Sequence, residues 1–323
     1  MSQILFTNSL PGRTVTLADG REFLWFSGTD YLGMGHNETF QAHLAEGFRR
    51  YGTHYGSSRN GSVQLAVYEE VEAALAGFVG APAALVVSSG MWSGQLLLSG
   101  LETAAQIHYA PIVHPALWGP GYITQELAWS EWLRQTIQKI QQSEGQQNHL
   151  ICTDAIGSPW VEEYALDLLH GLPDGRQTTL IVDDSHGLGV LGNHGRGVFS
   201  QLPQSKNVRS VITASLNKAL GVPGGVIFGN KDFIRSIRQS PRFAGSSPAA
   251  PAYFYALQQN LITGVFQEAH QNLLANIEYF TQRLPLKNYL AQIEKYPVFC
   301  SRDPSLYPHL FENGILTSHF SYP

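Results

Sequence analysis

The sequence predicts an α/β fold: a mostly parallel sheet with helices on both faces. Three observations predict it. Short, almost continuous apolar runs alternate with helical patterns from about residue 64 to 230. Strands buried on both faces read as such runs, because neither side alternates with polar residues. Each run is followed by small or polar residues, and in an open α/β sheet the ligand crevice lies at the carboxyl ends of the strands.

Taken in order, "QLAVYEEVEAALAGFVG" (64–80) carries apolar residues at helical spacing and stops at glycine. "AALVVSSG" (83–90) reads as a strand ending in Ser-Ser-Gly, and "IHYAPIV" (107–113) as another. "SEWLRQTIQKIQQSEG" (130–145) is an amphipathic helix with a glycine stop. "HLICTDA" (149–155), "TTLIVDD" (178–184) and "RSVITAS" (209–215) are three further strands, and "GGVIFG" (224–229) a short one. From 252 to 284 the pattern predicts one long helix or two consecutive ones, and the remainder reads as pieces of a smaller α+β domain. The expected organisation is an N-terminal segment (1–50), a large α/β domain (51–250) and a small, incomplete C-terminal domain (251–323).

The chain has 323 residues, 43% of them hydrophobic, and a formal net charge of −5. That is enough for a full-sized core. The charges form neither a basic stripe for nucleic acid nor a polybasic membrane anchor. No apolar run is long enough to span a bilayer, and "MSQILFTNSLPGRTV" lacks the pattern of a signal peptide. Cys152 and Cys300 are far apart and suggest no disulfide framework. A cytoplasmic protein without nucleic-acid or membrane partners is the expectation, and no metal site is expected.

The strand ends carry the chemistry. In "TASLNKALGVPGG" (213–225), Lys218 follows a strand beside Ser215 and Asn217. A lysine with a lowered pKa forms a Schiff base with an aldehyde, whereas an isolated lysine is usually only a solvated side chain. Ser215 and nearby free N–H groups could bind a phosphate. In "VDDSHGLGVLG" (182–192), one carboxylate could pair with a protonated ring nitrogen and His186 with a second polar atom of that ring. Such an acid keeps a pyridinium ring an electron sink, as pyridoxal-phosphate chemistry requires; a metal pair or a helix cap is the plainer alternative. "SSGMW" (88–92), with Ser89, Gly90 and Met91, ends a strand and opens a helix whose N–H groups can hold an anion. His114 could stack on a flat ring or simply pack in the core.

Together, in order from about residue 24 to 323, these segments resemble the α-oxoamine synthase family of fold-type-I pyridoxal-phosphate enzymes. "LWFSGTDYLGMGHN" is similar to its "NYLGL" segment, and "YGTHYGSSRNGSVQLAVYEEVEAALAGFVG" to its "GSGGSR" stretch. "VVSSGMWSGQ" resembles its phosphate loop and "IVHPALWGP" its "NHASL" segment. The resemblance makes His114 the ring-stacking histidine. It makes Asp183 the partner of the pyridine nitrogen and His186 that of the ring hydroxyl. "CTDAIGSP" puts Ser158 near a cofactor oxygen, and "ASLNKALG" makes Lys218 the Schiff-base lysine, with Ser215 in place of a phosphate-binding threonine. It implies pyridoxal 5'-phosphate as cofactor and a homodimer. It also implies an amino acid and an acyl-CoA or acyl-carrier-protein thioester as substrates, condensed with loss of CO2.

The departures bear on the reaction. The family's asparagine before "YLG" is matched by Thr29 or Asp30. Its threonine aimed at the neighbouring subunit's phosphate is matched by "FAGSSPAAP", where Ser246 and Ser247 are the candidates. "SMDGD" is replaced by "SPWVE", and the chain stops at Pro323 before the arginine that holds the substrate carboxylate. Either the sequence is a fragment or the carboxylate is held otherwise, with Arg59 as one option and an ordinary structural role for it as the other. An aminotransferase or an impaired pyridoxal-phosphate-binding homologue are the alternatives; a nicotinamide enzyme lacks its G-x-G-x-x-G.

Overall fold

In the computed structural model, residues 4–101, 105–145, 147–158, 160–284 and 290–319 are described. The chain opens with β1 (Thr14–Thr16), β2 (Glu22–Phe26) and helix α1 (Glu38–Tyr51). Then come α2 (Ala66–Val79), β3 (Ala83–Val87), α3 (Gly90–Leu101), β4 (Ala105–Tyr109) and α4 (Trp129–Gln142). β5 (Asn148–Asp154) precedes a two-strand hairpin, β6 (Ile156–Gly157) and β7 (Glu162–Glu163), followed by β8 (Thr178–Asp183), β9 (Val208–Ser215) and β10 (Gly225–Gly229). Helices α5 (Lys231–Arg238), α6 (Pro241–Ala244), α7 (Pro251–Thr263) and α8 (Val265–Arg283) follow. β11 (Ala291–Gln292), β12 (Phe299–Cys300), α9 (Leu306–Glu312) and β13 (Ile315–Thr317) complete the described chain.

The central sheet has six strands in the order β3-β10-β9-β8-β5-β4. β4, β5, β8 and β9 are mutually parallel, while β10 runs antiparallel to both β9 and β3. The apolar runs expected to be strands are strands, and their side chains are buried on both faces, as the unbroken Leu180-Ile181-Val182 run requires. The stretch expected as a strand over 107–113 is one only to Tyr109; residues 110–113 turn away to present His114. The stretch 83–90 is strand only to Val87, because Ser89 already caps α3. The 252–284 region is two helices, broken where Gly264 takes φ +80°, a conformation open to glycine but strained for other residues.

α7 lies against α1 and α2. β13 pairs in parallel with β2, so early and late segments of the chain share the three-stranded sheet β1-β2-β13. Val15, Leu17, Phe23 and Leu316 form a small apolar cluster under it, separate from the main core. No described helix is long and apolar enough to cross a membrane. The final residues through Pro323, and Pro159 within "SPWVE", lie outside the described residues.

Candidate active site

The parallel strands β5, β8 and β9 end level with one another, and their register brings Asp154, Asp183 and Thr213 side by side across the sheet. Asp183 is 6% exposed. Its Oδ1 accepts the N–H of Ser185 at 2.9 Å. Its Oδ2 has no hydrogen-bond partner among the described residues; His114 Nδ1 lies 3.8 Å away, beyond hydrogen-bond length. That pair is not an ion pair. His114 Nδ1 accepts the N–H of Ala116 at 3.1 Å, which requires a lone pair there, and burial lowers the imidazole pKa against the pull of Asp183. Asp183 therefore offers one oxygen to a donor from outside the chain.

Lys218 follows β9 in a tight loop closed by Leu216 N–H to Gly224 O at 3.0 Å and Gly221 N–H to Lys218 O at 3.1 Å. Burial lowers its ammonium pKa, opposed by the carboxylates of Asp183, Asp154 and Asp184. Lys218, Asp183 and His114 thus meet at one strand-end crevice, as their places in the sequence imply.

The two candidate phosphate ligands also meet. A Cβ on Gly90 would stand 2.6 Å from Ser215 Cβ, and one on Gly225 2.2 Å from Ser89 O. Only glycine permits backbones this close. Ser89 Oγ accepts the N–H of Trp92 at 3.1 Å, and the first-turn N–H groups of Gly90 and Met91 have no intrahelical acceptor. They open beside Ser215, whose Oγ takes the N–H of Asn217 at 3.2 Å and whose N–H is held by Ser185 Oγ at 2.8 Å. An uncommitted carboxylate oxygen, a buried amine and an anion cradle at one crevice match the donor set of a phosphorylated pyridine aldehyde, so the residues fit pyridoxal phosphate.

Sequence reasoning missed four residues here. Asp154, buried, accepts the backbone N–H of His114 at 3.0 and 3.3 Å and so orients the loop that carries the imidazole. Burial first, and the neighbouring Asp183 second, raise its pKa well above the usual carboxylate range. Two residues before His114, the β-branched Ile112 sits at φ +54°, a strained conformation that the surrounding loop must impose. Tyr31 and Tyr296 both reach His186 Nδ1, at 2.8 and 3.4 Å. "DYLG" contained the signal for Tyr31; Tyr296 lies in an aperiodic stretch and had none.

Other expectations meet different outcomes. Arg59 is not free for a substrate: it is 5% exposed, its Nη1 donates to Glu72 at 2.6 Å and to Val86 O at 3.2 Å, and its guanidinium covers the Tyr68 ring at 4.6 Å. Asp30 is likewise committed, capping a turn by accepting the N–H groups of Met34 at 2.8 Å and Gly35 at 2.9 Å. Ser158 is half-buried after β6, and no hydrogen bond among the described residues joins it to the cluster. Ser246 and Ser247 follow α6, and Ser246 Oγ donates to Arg242 O at 2.5 Å.

The chain is 30% identical over 275 residues to an 8-amino-7-oxononanoate synthase of Nitrosomonas eutropha, covering 82% of this chain and 70% of that relative. It is 29% identical over 298 residues to one of an Azoarcus species, covering 90% and 76%. Among solved structures, a serine palmitoyltransferase of Sphingomonas wittichii superposes with TM-score 0.80 at 18% identity, covering 96% of this chain and 81% of that one. An 8-amino-7-oxononanoate synthase of Francisella tularensis gives 0.67 at 22%, covering 93% and 89%. No protein-family model matches. These likenesses, with a strand-end lysine and aspartate meeting across one crevice, establish that the chain belongs to the α-oxoamine synthase family of fold-type-I pyridoxal-phosphate enzymes.

Proposed function

We propose that the chain is a pyridoxal-phosphate-dependent acyltransferase that condenses an amino acid with an acyl thioester and releases CO2. The observation that carries this reading is the uncommitted Oδ2 of Asp183 in one crevice with His114 and the Lys218 amine. Pyridoxal phosphate, when bound, supplies an aldehyde for an amine and an electron sink for a carbanion at the amino acid's α-carbon.

The protein's part follows from the residues. Asp183 holds a proton on the pyridine nitrogen, and its enclosure strengthens that pairing. Lys218, its pKa lowered by burial, would present its amine to the aldehyde and would serve as an acid or base at the substrate carbon. His114 offers its imidazole face to the cofactor, held in place through its backbone by Asp154. The N–H groups opening α3 and the Ser215 hydroxyl bind the phosphate. His186 serves the ring hydroxyl and Ser158 a cofactor oxygen. The proposal extends to a cytoplasmic homodimer in a biosynthetic route, with Ser246 and Ser247 reaching the partner's phosphate and the thioester on coenzyme A or a carrier protein. It also keeps the division into segments 1–50, 51–250 and 251–323.

Adding pyridoxal phosphate to the purified protein should produce a yellow absorption band, and borohydride should then fix a cofactor-derived mass on the peptide containing Lys218. Lys218→Ala should show neither. CO2 release that requires both an amino acid and an acyl thioester completes the test. An adduct on another residue, or amino transfer to a keto acid without thioester use, refutes the assignment.

A further inference from the structure

We propose that Tyr31 and Tyr296 are positioning residues that lock His186 as its Nε2–H tautomer, with a tyrosine hydroxyl donating a hydrogen bond to an unprotonated Nδ1. Three polar atoms form a closed triangle: Tyr31 Oη to His186 Nδ1 at 2.8 Å, Tyr296 Oη to the same nitrogen at 3.4 Å, and the two hydroxyls 3.3 Å apart. No other hydrogen bond is made by these three side chains among the described residues, and Tyr296 is 3% exposed.

Counting protons decides the direction. With Nδ1 bare, Tyr31 donates to it and Tyr296 donates to Tyr31 Oη; both protons have acceptors. With a proton on Nδ1, the triangle holds three protons. Nδ1–H goes to Tyr31 and Tyr31 to Tyr296, which leaves the Tyr296 proton facing an N–H. A buried donor without an acceptor costs about 1–3 kcal/mol. Doubly protonated imidazolium brings the same surplus proton and a buried charge. Burial foremost, then the charges of Lys218 and His114, hold the imidazole pKa down to about 3, so the ring stays neutral. Burial also raises both phenol pKa values, so neither hydroxyl loses its proton in the physiological range.

The ring's one N–H therefore stands on Nε2, the nitrogen with no partner among the described residues. The two tyrosines arrive from opposite ends of the sequence, 265 residues apart, so the donor is set by segments outside the strand-and-loop motif that carries the histidine. What this donor does for a ring oxygen rests on the function proposed above; the tautomer itself does not.

Two-bond 1H–15N spectra of histidine-labelled protein without added cofactor distinguish the two neutral tautomers, with the His186 signals assigned by His186→Asn. Wild type should show His186 as Nε2–H alone near neutral pH. Tyr31→Phe should leave partial bias through Tyr296, and the Tyr31→Phe/Tyr296→Phe pair, with near-ultraviolet circular dichroism confirming its fold, should show a tautomer mixture. The pair should also bind pyridoxal phosphate roughly tenfold more weakly, the loss of one directed hydrogen bond. A wild-type His186 carrying its proton on Nδ1, or charged near neutrality, overturns the proposal whether or not the variants fold. So does an unchanged single tautomer in a folded double variant. Weak cofactor binding with the tautomer as stated counts against the proposed function and leaves this inference standing.

Discussion

Asp184, adjacent to Asp183 at the strand-end crevice, shows how much a single enclosed carboxyl can govern. Its Oδ2 accepts the N–H of Val198 at 2.9 Å, while its Oδ1 has no partner. Burial raises its pKa from 3.8 to about 8. Between those values the folded chain keeps a proton that the unfolded chain has shed, so stability falls as pH rises, by at most ~1.4 kcal/mol per pH unit for this group. Asp184→Asn should flatten that slope. Denaturant melts of both proteins between about pH 5 and pH 8 would test it, and parallel pH profiles would refute it. Asp154 keeps a slope of the same sign in the variant, because its carboxyl pKa is raised too.

The individual residues also show what was legible. Lys218, His114 and Asp183 could be read because each stands at the end of an apolar run or within a few residues of it, and in such sheets strand ends face the crevice. For Arg59 the sequence left a ligand role and a structural role open, because its partner, Glu72, is thirteen positions away on a helix whose packing against β3 no local pattern reveals. Asp154 stood in plain sight in "CTDA", but its hold on the His114 backbone depends on β4 and β5 lying parallel and in register.

Elements divide in the same way. The strands were predictable from composition, yet their order was not: β10 lies between β3 and β9 with its direction reversed, a consequence of long-range pairing alone. That insertion matters for the cradle, since it draws the β3–α3 turn against the end of β9. Gly90→Ala would force a Cβ to 2.6 Å from Ser215 Cβ. The backbones must part, at a cost of about 1–3 kcal/mol for an overpacked core position. A lower melting temperature together with weaker pyridoxal-phosphate binding is the expected result. A variant that melts lower but binds the cofactor normally would show that the phosphate does not lie there.

For the whole molecule, the main core and the active-site crevice belong to one sheet, whereas the apolar cluster of Val15, Leu17, Phe23 and Leu316 stands apart under a second. Ile4, Phe6, Leu10, Leu24 and Phe26 in the same N-terminal region are exposed. The proposed homodimer is tested by light scattering on the eluting protein, where twice the chain mass is expected at micromolar concentration and a persistent monomer would count against it. The pairing of β13 with β2 was not legible, because no periodicity in either strand announces the other.

That pairing has a consequence for how the protein is made. Ser27, just beyond β2, meets Ser318, just beyond β13, across 291 residues. A ribosome adding about 5–20 residues per second needs roughly 15–60 s to span that interval. Throughout it, one edge of β2 is bare beside the outward-facing Leu24 and Phe26. The nascent chain thus carries an unpaired strand edge until residues 315–317 have been added, and such an edge invites pairing with other strands.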